Sequence, residues 1–272
     1  PFKAQAKQQW INSVKINDWK EGVDPNFDNN TPTTQHTKEV GNEFKKLFQM
    51  IFEKKTIDQR LSQLLLNKLR KRPILPQAAK DLDKQITTDE VREVMENLPL
   101  GKQAGPNRVP NAVYRYMSSI FAPKLTEVLN DTIRKGKLPN HFLEGDIAML
   151  YKKGDREDPR NYRPITLLNT DYKIFTRILA RRMRDVVHQF VTESQKGFMP
   201  NTFIADATMM LKLIESYIND EPNDRKGIFL FLDMEKAFDR VSYAFTNKGL
   251  EALGFGNKFR KWIGMMYNTD RA

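Results

Sequence analysis

Apolar side chains recur along this chain mainly with the period of a helix. Between residues 40 and 51 they stand every three or four positions, which places them on one helical face. The same spacing predicts helices over 57–70, 111–135 and 203–218. A shorter apolar pattern at 10–16 predicts a short helix near the start of the chain.

Capping and turn residues mark where several helices begin and end. Thr87 and Glu90 have the spacing of a capping box, which predicts a helix that runs to about Asn97. Gly136 ends the helix before it, as a C-terminal glycine does. Residues 242–267 are typical of two helices joined by a Gly-Phe-Gly turn. Loops are predicted for two runs that are rich in turn-forming residues: 22–37 and 101–110.

The helical period is clearest over residues 170–190. One side carries an apolar stripe: Tyr172, Phe175, Leu179, Met183, Val186 and Phe190. The other side carries a basic stripe: Arg177, Arg181 and Arg184. A helix with this pattern packs one face against a core and presents the other to solvent or to an anion.

Two segments have the pattern of strands. Residues 146–151 predict a strand, and the charged turn at 152–160 leads to 162–164, which together favour a β-hairpin. The apolar run 228–232 is followed by Asp233 and predicts a buried strand that ends in a carboxylate.

Composition excludes several classes of protein. With 272 residues, 39% of them hydrophobic, the chain can bury the core of one large domain or two small ones. It has no cysteine, which excludes a disulfide scaffold, a thiol nucleophile and cysteine-ligated metal sites. No apolar run approaches the ~18 residues of a membrane span, so we expect no membrane partner.

The charge is strongly basic and concentrated in two blocks. Lys and Arg number 45 against 34 Asp and Glu, a net charge of +11, which points to a polyanion such as nucleic acid. Residues 53–72 hold seven basic and two acidic residues, and 151–185 hold ten and five, so each block has a net charge of +5. Phosphate contact and a merely solvated basic surface both remain open for these blocks.

Asp233 is the residue whose position suggests metal chemistry. A carboxylate at the end of a buried strand is costly unless it meets a cation, and its hard oxygens suit Mg²⁺. The alternative is an ordinary turn or capping residue. Asp239 has the same alternative, as the N-cap of the next helix.

Four segments, in this order, resemble the reverse transcriptases of non-LTR (LINE-like) retrotransposons. They are Gly101-Lys-Gln-Ala-Gly-Pro106, Tyr151-Lys-Lys-Gly-Asp155 with Asn161-Tyr-Arg-Pro-Ile-Thr-Leu-Leu-Asn169, Gln195-Lys-Gly-Phe198, and Phe231-Leu-Asp-Met-Glu-Lys-Ala-Phe-Asp239. The resemblance covers about residues 86–245, and the set of four is far more specific than any one segment.

The resemblance implies roles for individual residues. Asp233 corresponds to the first catalytic aspartate of the palm, a ligand of two Mg²⁺ ions. Phe238 corresponds to the aromatic residue that blocks the 2′-hydroxyl of a ribonucleotide, and Lys152 and Arg163 to residues that hold the dNTP triphosphate. Template–primer contact is implied for five more: Lys102, Gly105, Gln195, Gly197 and Phe198.

The implied function is RNA-directed DNA polymerase, with an RNA template, a DNA primer and dNTP as partners, acting in the nucleus. A primer 3′-hydroxyl would attack the α-phosphate of the dNTP, with two Mg²⁺ ions stabilising the charge. The implied fold is the α+β right hand of polymerases: mainly helical fingers with a β-hairpin and an incomplete antiparallel palm sheet. We divide the chain into a helical extension (1–80), fingers with the start of the palm (81–226) and partial palm (227–272).

The sequence departs from the family pattern in three places. Asn107-Arg108 stands where the family has Asp-Gly, and Arg tolerates a left-handed turn poorly. Tyr151 replaces a proline before the triphosphate lysine. The second catalytic motif, an aromatic residue, one further residue and then Asp-Asp, does not occur in these residues. Both termini look like cuts through a longer polypeptide. We therefore expect these residues alone to be inactive, with a non-catalytic nucleic-acid-binding remnant or a truncated pseudogene product as the alternative.

Overall fold

The computed structural model describes residues 11, 13–16, 31–53, 57–220, 228–234, 237–238 and 241–267. These form mixed helical structure with two small antiparallel sheets. In chain order the elements are β1 (Val14–Lys15), β2 (Thr33–Thr34), α1 (Thr37–Phe52), α2 (Gln59–Leu69), α3 (Pro76–Leu82), α4 (Thr88–Glu96), α5 (Asn111–Tyr116), α6 (Ser118–Lys135), β3 (Gly145–Tyr151), β4 (Tyr162–Leu168), α7 (Thr170–Arg184), α8 (Ile204–Asp220), α9 (Tyr243–Ala252) and α10 (Asn257–Met266). None of the helices described is long and apolar enough to cross a bilayer.

Most of the predicted helices and the hairpin are confirmed. The capping box is formed as predicted, with the Thr87 hydroxyl accepting from the Glu90 amide at 3.2 Å and the Glu90 carboxylate accepting from the Thr87 amide at 2.9 Å. Gly136 ends α6 in the left-handed conformation, with φ at +70°. The predicted helix over 111–135 is two helices, because the backbone of Met117 leaves the helical region between α5 and α6.

The short helix predicted near the start of the chain is wrong for its described residues. Val14 and Lys15 instead form β1, which pairs with Thr34 and Thr33 of β2. Val14 is fully buried beneath α1 and the later hairpin. A strand of two residues has no periodicity of its own, so its conformation is decided by these distant partners.

The buried strand predicted at 228–232 is also wrong. These residues form no strand, and their side chains are exposed, Leu230 by 78% and Leu232 by 81%. An interior strand needs neighbours that satisfy its backbone groups on both edges. Among the described residues the strands are β1 to β4, paired as two separate hairpins, so the expected palm sheet is not formed by them.

The main hydrophobic core lies among α3 to α7, with α9 and α10 packed against them. Its largest fully buried side chains come from five parts of the chain: Met95, Leu129, Phe142, Phe175, Phe259 and Trp262. The stripe predicted for 170–190 contributes Phe175 and Leu179 from α7. The helix predicted at 203–218 is confirmed as α8, but its apolar side chains remain exposed, Met210 by 59%.

Arg182 on α7 joins the first helices of this core to the last. Its guanidinium donates two hydrogen bonds to the Glu90 carboxylate, at 2.7 and 2.8 Å, and lies 5.7 Å from the Trp262 ring centroid. It also donates to three backbone carbonyls, that of Leu82 at the end of α3 and those of Lys84 and Gln85 in the turn before α4. Burial raises the pKa of Glu90, but the bonds from Arg182 and Thr87 outweigh it and leave that pKa below its usual range.

Asp83, just after α3, forms a second polar link between the first helices of the core and α10. Its carboxylate accepts from the backbone amides of Phe259 at 2.8 Å and Lys258 at 3.3 Å, which are orphan donors at the start of α10. A Cβ at Gly256 would collide with this carboxylate, so the residue before α10 has to be glycine. A negative charge at a helix N-terminus is also favourable with respect to the helix dipole.

We expect Arg182→Ala to lower the free energy of unfolding by about 3 kcal/mol, because it leaves three carbonyls and a half-buried carboxylate without their donor. Arg181 is the matched control. It is exposed and, within the described residues, forms an ion pair with Glu93, so Arg181→Ala should cost less than about 1 kcal/mol. Urea unfolding of both variants measures the difference. Equal losses would contradict the role given to Arg182.

Candidate active site

The β3–β4 hairpin places Lys152 and Arg163 on one face. Leu150 lies opposite Arg163 and Tyr151 opposite Tyr162, and the Lys152 amide donates to the Asn161 carbonyl at 2.8 Å. Side chains alternate between faces along each strand, so Lys152 and Arg163 lie on the face opposite the two tyrosines. Both side chains are exposed, and neither has an acidic partner among the described residues.

Two of the other basic residues of the hairpin turn are already engaged. The Arg160 guanidinium binds the buried Asp158 carboxylate, with the shortest contact at 2.8 Å. Arg156 lies over the Tyr151 ring, 4.6 Å from its centroid. Of the five basic residues from 152 to 163, those left for a ligand are therefore Lys152, Lys153 and Arg163.

Asn169 ties the hairpin to the loop at 101–110. The Asn169 side chain is fully buried. Its amide oxygen accepts from the backbone amide of Asn107 at 3.0 Å, and its Nδ2 donates to the His141 carbonyl at 2.6 Å. Gly105 packs directly against it, since a Cβ there would lie 2.5 Å from the Asn169 nitrogen. The next residue, Thr170, donates to the Val109 carbonyl at 3.3 Å and to Asn111 Oδ1 at 3.0 Å.

A cluster of titratable side chains lies beneath that loop, in which Asp171 and Tyr114 are buried and His141 is exposed. His141 Nε2 is 3.0 Å from Asp171 Oδ2, and burial raises the pKa of Asp171 despite its hydrogen bonds. Burial and the charge of Asp171 together raise the pKa of Tyr114 to about 12. Tyr114 is therefore a neutral phenol at physiological pH, and its part in this cluster is to pack and to hydrogen-bond.

The segment from Gln195 to Phe198 forms an exposed loop. Gln195 Nε2 donates to the Gly197 carbonyl at 2.9 Å, and Phe198 has a left-handed backbone with φ at +60°. The Phe198 ring meets that of Phe238 edge to face, with centroids 6.2 Å apart. Both rings are otherwise exposed, by 97% and 83%, which is unusual for aromatic side chains that only serve packing.

Asp233 does not form a metal site with the residues described. Its side chain is exposed, and the described residues contain no group of three or more acidic or histidine side chains that could hold an ion. A divalent ion needs several oxygen ligands, and one exposed carboxylate does not supply them. Asp239 lies outside the described residues.

Comparison with known proteins identifies the family to which these segments are related. Residues 150–272 match the family model described as reverse transcriptase (RNA-dependent DNA polymerase). A "Transposon TX1 uncharacterized 149 kDa protein" from Xenopus laevis is 29% identical over 72% of this chain and 15% of its own length. A "Retrovirus-related Pol polyprotein from type-1 retrotransposable element R2" from Popillia japonica is 32% identical over 47% of this chain and 18% of its own length. A "Probable RNA-directed DNA polymerase from transposon BS" from Drosophila melanogaster is 29% identical over 58% and 18%.

The chain is related to the reverse transcriptases of non-LTR retrotransposons. It spans less than a fifth of the length of each of these relatives. Members of this family are RNA-directed DNA polymerases and use divalent metal ions.

The structure brings some of the predicted site residues together and leaves others apart. Lys152 and Arg163 share a hairpin face, and Phe198 contacts Phe238. Lys102 is exposed in its loop, and within the described residues no hydrogen bond or ion pair joins Asp233 to any of these. Sequence reasoning missed Asn169 as the residue that links the first two motifs, although it is the last residue of the second motif.

The basic block at 53–72, which precedes the residues that match the family model, is a second exposed surface. It covers α2 and the turn after it, and five basic side chains there are solvent-exposed and lack acidic partners in the described chain: Arg60, Lys68, Arg70, Lys71 and Arg72. The structure therefore leaves both the phosphate-binding and the merely solvated interpretation in place for this block.

Arg108 occupies a backbone conformation that suits the glycine of the family pattern, with φ at +59°. A side chain in this region costs about 1–2 kcal/mol, while glycine's freedom in the unfolded chain offsets about 0.4–1 kcal/mol. We expect Arg108→Gly to raise the free energy of unfolding by about 0.5–1 kcal/mol in urea titrations. Lys124→Gly, in the middle of α6, is the control and should lose about 1 kcal/mol. A loss of stability in Arg108→Gly would contradict the strain at this position.

Proposed function

We propose that this chain forms the fingers and the first part of the palm of an RNA-directed DNA polymerase that extends a DNA primer on an RNA template. The observation that carries the proposal is the shared hairpin face of Lys152 and Arg163, within the segment that matches the reverse transcriptase family. This face would hold the triphosphate of the incoming dNTP. The right-hand arrangement of the whole polymerase belongs to the same proposal.

The chemistry of the two side chains suits a triphosphate. An arginine guanidinium matches pairs of phosphate oxygens through its planar set of donors, and a lysine ammonium is a compact point charge. Because neither has an acidic partner in the described structure, neither has to give up an ion pair when a phosphate arrives. The tyrosines on the opposite face pack against α1, which keeps the basic face turned away from the protein interior.

Three further assignments support template-directed synthesis but are proposals for the protein as a whole. Phe238 would exclude a ribose 2′-hydroxyl, with Phe198 beside it. Lys102, Gly105, Gln195, Gly197 and Phe198 would lie along the template and primer. Asp233 would contribute hard carboxylate oxygens to Mg²⁺, but because it stands alone among the described residues, we assign no catalytic step to it.

Triphosphate binding by the hairpin can be measured on the 272-residue chain with inorganic tripolyphosphate and no metal ion. We expect Lys152→Ala and Arg163→Ala each to weaken binding about ten-fold in isothermal titration calorimetry, since each removes a charged hydrogen-bond donor. Lys84→Ala and Arg134→Ala remove exposed charges from α3–α4 and α6 and should leave the affinity unchanged. Equal affinities in all four variants would reject the hairpin as the triphosphate site.

Primer extension on an RNA template tests the polymerase assignment in the protein expressed from its complete reading frame. We expect Asp233→Ala to abolish extension, because a carboxylate ligand of the divalent ion is lost. Extension by Asp233→Ala at the rate of the wild type would overturn the metal-ligand assignment. RNA binding without any extension by the wild type would favour a non-catalytic nucleic-acid-binding protein.

A further inference from the structure

The strand β1 docks on the hairpin turn more than 140 residues later in the chain. The Lys15 amide donates to the Glu157 carbonyl at 2.8 Å, and the Ser13 hydroxyl donates to Glu157 Oε1 at 2.6 Å. Lys15 Nζ forms an ion pair with Asp155 Oδ2 at 2.7 Å. Most of the Lys15 side chain is covered, with 12% exposed, so this contact has a defined geometry rather than that of a mobile surface pair.

A small hydrophobic core holds β1 in this place. Val14, between the two residues that bind the turn, is fully buried with Val40 and Phe44 of α1 and Tyr162 of the hairpin. The Phe44 and Tyr162 rings pack edge to face at 5.3 Å. The Tyr162 hydroxyl then donates to the Arg156 carbonyl at 2.8 Å, so one tyrosine links α1 to the backbone of the turn.

Asp155 lies close to the proposed triphosphate site in the same turn. Asn161 bridges the two, since its carbonyl accepts from the Lys152 amide and its Nδ2 donates to the Asp155 carbonyl at 2.9 Å. Asp155 lies three positions after Lys152, so their backbones are at most ~10 Å apart, about one Debye length. At that range an unpaired carboxylate repels an arriving phosphate.

The Lys15 ammonium and the Asp155 carboxylate stabilise each other's charged form. The hydrogen bond to Asp155 raises the pKa of Lys15, and the bond from Lys15, with that from the Glu157 amide, lowers the pKa of Asp155. Asp158 is bound by Arg160, and Glu157 accepts from Ser13. Among the acidic residues of the turn, Asp155 is therefore the one whose negative charge is balanced by a cation outside the hairpin, Lys15.

We propose that Lys15 is a positioning residue for the nucleotide site: it neutralises Asp155 and so sets the affinity of the hairpin for a triphosphate. The proposal rests on the proposed function of Lys152 and Arg163, and it makes the N-terminal segment part of the nucleotide site without any contact to the nucleotide. Lys15 points to Asp155, so its effect on a phosphate passes through the charge of that carboxylate.

The test is a double-mutant cycle on the 272-residue chain with inorganic tripolyphosphate, at low ionic strength and without metal ions. We expect Lys15→Met to weaken binding about five-fold, because the long apolar side chain keeps the packing while Asp155 becomes an unbalanced negative charge. Adding Asp155→Asn to Lys15→Met should restore affinity to near that of the wild type. Raising the salt concentration should shrink the effect of Lys15→Met.

Direct contact between Lys15 and the phosphate predicts a different result, since Asp155→Asn would then fail to rescue Lys15→Met. That failure, or an unchanged affinity in Lys15→Met, would overturn the proposal. Asp155→Asn alone is expected to bind at least as tightly as the wild type, and weaker binding would also overturn it, even if Lys15→Met did not fold. Lys84→Met breaks the Lys84–Asp81 pair and is the matched control, with no expected change.

The same titrations separate this proposal from the proposed function. If Lys152→Ala and Arg163→Ala weaken binding and Lys15→Met does not, the hairpin is the site and Lys15 has no part in it. If none of the variants changes the affinity, the hairpin is not the site, and both proposals are rejected.

Discussion

The structure depends most on one buried cation, the guanidinium of Arg182. A charge placed among apolar side chains is costly unless each of its donors finds an acceptor. Arg182 meets this condition with the Glu90 carboxylate and three carbonyls at the end of α3 and in the turn after it, and its guanidinium lies over the Trp262 ring of α10. Since Asp83, the residue just after α3, caps α10, the order of the helices around the core is specified by directional polar contacts as well as by apolar packing.

Much of the secondary structure follows from local sequence, whereas the contacts that specify the tertiary structure do not. The capping box at Thr87, the glycine at 136 and the hairpin around 152–160 are encoded within a few residues, and the structure confirms them. The partners of Arg182 and Asn169 lie roughly 30 to 100 residues away, and no period or spacing reveals them. The run at 228–232 shows the converse, because apolar residues indicate burial only where other strands are available to cover them.

In the candidate site, too, local sequence indicates some features and long-range contacts determine the others. The sequence indicates which side chains are basic and which segments resemble the family, but it does not say which charges are already in use. The structure assigns Arg156 to Tyr151 and Arg160 to Asp158, which reduces a basic cluster to a few available side chains. Packing determines which side chains face solvent, since the tyrosines of the opposite hairpin face are held against α1.

The amide of Asn169 has a mechanical consequence. It is bonded to the loop at 101–110 and to the turn that precedes β3, while Thr170 holds Val109 at the other end of the loop. A hairpin that shifts to meet a ligand must therefore carry this loop with it or break these hydrogen bonds. A displacement of either the loop or the hairpin is therefore transmitted to the other through these hydrogen bonds.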